Sequence, residues 1–133
     1  MEEAGASAWR PIFDAFESRD DERIVALCDP EVEWHTLWPG MEDVFHGRAG
    51  VKRWRETIDE ALAGLSLHMD EAIELGPDLF YLRYRLTAHG RQSGVESNME
   101  LHDVWKLRDG KLLHRRTFRS REDALAEAGE RTA

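Results

Sequence analysis

The stretch Ser97-Asn98-Met99-Glu100-Leu101-His102-Asp103-Val104-Trp105-Lys106-Leu107 alternates along its length. Met99, Leu101, Trp105 and Leu107 share one side, while Asn98, Glu100, His102 and Lys106 share the other. A period of two marks a strand with one buried face. One residue departs from the pattern. Asp103 stands in register with the apolar side, between Leu101 and Trp105. A carboxylate turned toward a core has to be paired, protonated or lining a cavity.

Downstream, Arg108-Asp109-Gly110-Lys111 reads as a tight hairpin turn, because Asp-Gly tolerates the positive φ that such turns require. Leu112, His114, Arg116 and Phe118 continue as the last strand. Upstream, Gly90 to Gly94 is a turn. Before it, Phe80, Leu82, Tyr84, Leu86 and Ala88 share one side of a strand, and Tyr81, Arg83, Arg85 and Thr87 the other. Gly76-Pro77-Asp78 is another turn. The strand preceding it carries Leu67, Met69, Glu71, Ile73 and Leu75 on one side.

Further upstream the period lengthens to 3.6. Val51, Trp54, Ile58, Ala61 and Leu62 form the buried stripe of a helix that Gly47 opens and Gly64 ends. The segment Leu37 to His46 reads as a loop, and Val32, Trp34 and Thr36 as a short strand. Asp20 caps a short helix whose inner face is Ile24, Leu27 and Cys28, and Asp29-Pro30 stops it. Trp9, Ile12, Phe13 and Phe16 mark the first helix, with Pro11 tolerated in its first turn. At the other end Ser120 caps a final helix with Ala124, Leu125 and Ala128 inside.

Strands that succeed one another through short turns are antiparallel. Helices grouped ahead of them cover one face. The expected architecture is therefore α+β: a curved, mostly antiparallel sheet wrapped around an N-terminal helix layer, with a short C-terminal helix. It forms one domain over residues 1–133, with frayed ends at 1–7 and 130–133.

Composition limits the function classes. Net charge is −9, which disfavours phosphate backbones and anionic lipid, so neither a nucleic-acid nor a membrane partner is expected. No apolar run approaches the roughly 18 residues of a membrane span. The acidic start M-E-E-A-G-A-S lacks a signal-peptide pattern, giving an expectation of cytoplasmic localisation. Cys28 is the single cysteine and reads as a small core residue. The six histidines include no H-x-x-x-H pair and there is no C-x-x-C, so no metal is expected. Phosphate loops and dinucleotide fingerprints are absent as well, and no organic cofactor is expected.

Several segments together carry a family likeness: D-P-E-V-E-W at 29–34, F-H-G-R-A-G-V-K-R-W at 45–54, E-L-G-P-D at 74–78, S-G at 93–94, V-W-K-L-R-D-G-K-L at 104–112 and R-E-D-A-L-A-E-A-G at 121–129. In this order they make the chain resemble the SnoaL-like branch of the nuclear transport factor 2-like superfamily, which also contains ketosteroid isomerase. The resemblance implies a cone-shaped α+β barrel and an apolar pocket between sheet and helices. It also implies a homodimer through the outer sheet face, here Tyr81, Arg83, Arg85, His102 and Val104. Family activities run from isomerases, polyketide cyclases, dehydratases and epoxide hydrolases to non-catalytic modules. Matched to ketosteroid isomerase, Asp103 falls at the carboxyl that donates a hydrogen bond to the enolate oxygen. Trp34 and Ile12 replace the base and the tyrosine, so steroid isomerase chemistry is not expected.

Two function classes follow. In the first, a small hydrophobic molecule is transformed by cofactor-free acid/base chemistry. Asp103, Glu71 and His35 are the candidate catalytic groups: Glu71 shares the apolar register of its strand and on a curled sheet would join Asp103 in the cavity, while His35 borders the family's pocket. In the second, the pocket only binds, or the fold only dimerises, and both carboxylates are held by arginines, with Arg53 or Arg55 the expected partners of Glu71. In either case Trp34, Trp38, Trp54, Tyr84 and Trp105 are the candidate ligand contacts, since five tryptophans in 133 residues suit an enclosed aromatic site.

Overall fold

The computed structural model describes residues 8–36 and 44–132. Its elements run α1 (Arg10–Glu17), α2 (Asp21–Ala26), β1 (Cys28–His35), β2 (Val44–His46), α3 (Gly47–Ala61), β3 (Leu62–Gly76), β4 (Leu79–Gly90), β5 (Glu96–Arg108), β6 (Lys111–Phe118) and α4 (Arg121–Thr132). The six strands form one curved, open sheet in the order β2-β1-β6-β5-β4-β3. Every pairing is antiparallel except β1 with β6.

Local chemistry explains most boundaries. Asp20 accepts a hydrogen bond from the Arg23 backbone N–H and starts α2. Ser120 Oγ does the same for the Asp123 backbone N–H at the start of α4. Asp109 (φ 54°) and Gly110 (φ 78°) both lie in the left-handed region, as a two-residue hairpin with the strand twist requires.

One core lies between the concave face of the sheet and the N-terminal helices. It contains Ile12, Phe13 and Phe16 of α1, Val51 of α3, Trp34 of β1, Phe80, Leu82 and Tyr84 of β4, and Leu101 and Trp105 of β5. Each large apolar side chain buried here contributes about 1.5–3 kcal/mol. A smaller core lies on the opposite face. There Ala124 and Ala128 of α4 cover Leu79, Tyr81 and Val104.

Four expectations change. Cys28 does not close a helix: it opens β1, pairing with Leu112, and is fully buried. Val44–His46 lies not in a loop but in β2, held against Glu33–His35. Gly64 is not a helix stop. The α3 helix ends at Ala61, and Gly64 (φ 65°) sits inside β3 beside a register shift between Ala63 and Ser66. Finally, part of the outer face taken for a dimer surface is already occupied, because Tyr81 and Val104 lie fully buried under α4.

Candidate functional site

A cavity of about 460 Å³ opens between the concave sheet face and the helices. Phe13 and Phe16 of α1, Trp54 and Ile58 of α3, and Leu65 and Leu67 of β3 supply much of its apolar wall, with Trp34, Tyr84 and Trp105 from the sheet. The aromatic groups pack mostly edge to face. Phe16 meets Trp34 at 5.1 Å and Trp105 at 5.9 Å between ring centroids, and Phe13 meets Tyr84 at 5.6 Å. Trp34 and Trp54 lie tilted against each other at 4.7 Å.

Arg115 of β6 introduces a charge into this wall. Its guanidinium carbon lies 4.5 Å from the centre of the Trp34 ring and 5.5 Å from that of Trp54. Asp103 holds it from behind. The Arg115 Nε donates to Asp103 Oδ2 at 3.3 Å, and Nη2 donates to the Tyr84 hydroxyl at 3.3 Å. The Tyr84 hydroxyl and Trp105 Nε1 donate to the same Oδ2, each at 2.9 Å. Burial opposes the charge on Arg115, but the Asp103 carboxylate and the Tyr84 oxygen outweigh it, so the guanidinium stays firmly protonated. Burial, with the Asp103 charge adding to it, pushes the Tyr84 hydroxyl well above its ordinary range.

Asp103 does turn inward, as its register requires, and it is fully buried. It is not among the residues that line the cavity. It is a buried, paired carboxylate whose visible consequence is the placement of Arg115 and Tyr84. Residue periodicity missed Arg115 because β6 has a register shift. The pairs Leu107–Leu112 and Lys106–His114 leave Leu113 unmatched. That extra residue turns Arg115 and Thr117 to the concave side, and His114 and Arg116 away from it.

The same device moves Glu71. Met69 pairs with Tyr84 and Glu71 with Arg83, so Asp70 is the extra residue of a bulge. Glu71 therefore lies on the outer face and does not share the cavity with Asp103. Its partners are not Arg53 or Arg55. Arg121 of α4 donates to Glu71 Oε1 at 2.6 Å, and Arg83 lies 3.5 Å from the same atom.

His35 also faces away from the cavity, since Trp34 takes the inner side of β1. Its Nε2 lies 3.2 Å from Glu33 Oε1, and its ring lies 4.6 Å from that of His114. Glu33, His35 and His114 bring their ligand atoms within 4.8 Å of one another. Sequence spacing gave no sign of this group, because two strands 79 positions apart carry it. Trp34, Trp54, Tyr84 and Trp105 all line the cavity. Trp38 lies outside the described residues.

Comparison with known proteins agrees with this architecture. A family model described as SnoaL-like domain matches residues 9–115. TerC, co-crystallized with polyporic acid, superposes with a TM-score of 0.75 at 25% identity, covering 91% of this chain and 94% of that one. An NTF2-like protein of unknown function from Burkholderia pseudomallei K96243 gives 0.76 at 19% identity, covering 90% and 93%. A hypothetical protein with a ketosteroid isomerase-like fold from Catenulispora acidiphila DSM 44928, in complex with trimethylamine, gives 0.70 at 14% identity, covering 93% and 89%. No curated protein matches.

Proposed function

This chain belongs to the SnoaL-like domain family, and from that premise we propose that its cavity binds a small aromatic molecule bearing an acidic or electron-rich oxygen, which Arg115 receives. The observation that carries this reading is the buried, permanently charged Arg115 guanidinium set against the Trp34 and Trp54 rings in a mostly aromatic and aliphatic wall, whose other buried arginine, Arg55, is paired with Asp21 and Asp59. The tryptophan faces suit a flat apolar body, and the guanidinium suits an oxygen at one end of it. TerC, a structural relative, was co-crystallized with polyporic acid.

Binding is favoured over acid/base catalysis by the cavity's own inventory. Among the described lining residues there is no histidine, and the one carboxylate, Glu100, bonds Arg83 at 2.9 Å. A second reading rests on the adjacency of Arg115 and Tyr84. Tyr84 gives its one proton to Asp103 and accepts from Arg115, so the guanidinium N–H groups that Asp103 and Tyr84 leave over would be the donors to an oxyanion developing on a bound substrate, as in enolisation or cyclisation. The proposal includes a homodimer through the part of the outer face that α4 leaves open, around Arg83 and Arg85. A monomer in sedimentation equilibrium would remove that part.

Two fluorescent probes test the binding reading: 1-anilinonaphthalene-8-sulfonate, which carries an anion, and the uncharged N-phenyl-1-naphthylamine. Wild type is expected to bind both. Arg115→Met is expected to weaken the sulfonate roughly 10- to 100-fold, the value of a charge-assisted hydrogen bond of about 1.5–3 kcal/mol, and the neutral probe less than about threefold. The pair Asp103→Leu with Arg115→Met leaves no buried charge behind and serves where the single variant folds poorly. Leu65→Trp, which narrows the cavity, is expected to weaken both. Equal loss of the two probes in the Arg115 variants, or unchanged binding in Leu65→Trp, overturns the assignment.

A further inference from the structure

The reverse side of the strands that carry Trp34 and Arg115 holds a second polar group. In the parallel β1–β6 pair, Glu33 stands opposite His114, and His35 follows two residues on. His46 of β2 is the cross-strand partner of Glu33. Three of the six histidines thus fall on one outer patch of three adjacent strands, around one glutamate.

We propose that Glu33, His35 and His114 bind a divalent first-row transition metal ion, such as Zn2+, that clips β1 to β6. The ligand atoms already lie within 4.8 Å of one another, and the His35 Nε2–Glu33 Oε1 separation is 3.2 Å. A tetrahedral ion with bonds of about 2.0–2.1 Å holds its ligands roughly 3.4 Å apart. Closing the wider gaps moves each atom by less than about 1 Å, within the reach of a side-chain torsion.

Two imidazoles and one carboxylate form a donor set for Zn2+, Ni2+, Cu2+ or Fe2+, and not for Ca2+ or Mg2+, which prefer oxygen alone. The set leaves room for a fourth ligand, either water or exposed His46, the cross-strand partner of Glu33.

The flanking cations are directed elsewhere. Lys106, opposite His114, donates its ammonium to the Pro77 carbonyl. Arg116, opposite His35, lies 3.7 Å from Glu127 and sits over the Phe118 ring. The burial gradient suits an ion entering from solvent: His114 is 6% exposed, and the side chains of His35 and Glu33 are 22% and 50% exposed. The clip falls where reinforcement counts, because β1–β6 is the only parallel pairing of the described sheet and carries a register shift between Cys28 and Glu33. The site lies on the opposite side of the sheet from the cavity and does not depend on what the cavity binds.

The test uses the untagged full chain, dialysed to equilibrium against Zn2+ and separately against Co2+. One equivalent of Zn2+ per chain is expected, with visible d–d absorption for the Co2+ form. Zn2+ at 100 times its Kd is expected to favour the folded state about 100-fold, read as a higher melting temperature. His35→Ala and Glu33→Gln are each expected to weaken binding tenfold or more. These two side chains are partly exposed, so the test does not depend on a buried His114→Ala variant folding. His68→Ala, which removes an imidazole 3.5 Å from Asp70, is expected to bind as wild type does. The proposal fails if wild type retains no more Zn2+ or Co2+ than the Glu33→Gln/His35→Ala double variant. It fails equally if His68→Ala alone removes binding.

Discussion

Replacing Asp103 with Asn is close to isosteric, yet it removes the charge that balances Arg115. The guanidinium is buried and cannot shed its proton. Breaking a buried ion pair from one side typically costs about 3–5 kcal/mol. Here Arg115 keeps its contacts to the Tyr84 hydroxyl and the Trp34 face, and the asparagine oxygen still accepts from Trp105, so a loss near 3 kcal/mol is expected. For a chain of this length that lowers Tm by roughly 10 °C. The comparison is Asp70→Asn. Asp70 also bonds an arginine, Arg85, at 3.0 Å, but that arginine is half exposed. Solvent screening limits its loss to below about 1 kcal/mol. Urea unfolding followed by tryptophan fluorescence measures both variants, and five tryptophans give ample signal. Asp103→Asn, Arg115→Met and the Asp103→Asn/Arg115→Met double variant make a double-mutant cycle. The loss in the double variant is expected to be smaller than the sum of the single losses by about 2 kcal/mol. A loss below 1 kcal/mol for Asp103→Asn, or strict additivity in the cycle, would refute the claim that the two charges depend on each other.

Other consequences can be measured directly. Burial pushes the Cys28 thiol up to about 12, against the opposing charges of Arg48 and Arg115. Folded protein is therefore expected to resist Ellman's reagent at pH 8 and to react fully in denaturant; rapid labelling of the native state would contradict this. Asp29 is held below the usual carboxylate range by two hydrogen bonds from Arg108, at 2.8 and 3.0 Å, and by the Glu31 backbone N–H. Its folded pKa is the lower one, so its contribution is present above the unfolded carboxylate pKa and is lost as pH falls through the folded value. Asp29→Asn is accordingly expected to flatten the acid limb of stability below about pH 5, and an unchanged limb would count against the pairing. Glu71→Gln is expected to cost less than about 1 kcal/mol and to leave probe binding unaltered. A large change in binding would return Glu71 to the cavity.

What was legible in the sequence was what neighbouring residues decide. The helix stripes, the Asp20 and Ser120 caps, the Asp109-Gly110 turn and the alternation of β4 and β5 all follow from chemistry within a few positions. The inward orientation of Asp103 was legible for the same reason, as was the aromatic set Trp34, Trp54, Tyr84 and Trp105, because each sits on a regular stripe. Residue facing failed at bulges. Asp70 and Leu113 each add one residue to a ladder, and since the side-chain period of a strand is two, one extra residue exchanges the faces beyond it. One exchange moved Glu71 out to Arg121. The other turned Arg115 inward to Asp103 and His114 outward to Glu33 and His35. Neither bulge carries a glycine or another local mark. Both are fixed by which strands meet and by the burial each face gains, and the parallel pairing of β1 with β6 joins residues about 80 positions apart. Sequence by itself therefore determined an α+β fold with an aromatic hollow. Only the tertiary structure decided which charges enter the hollow and which gather behind it, because facing across a sheet depends on register, and register is a property of two strands together.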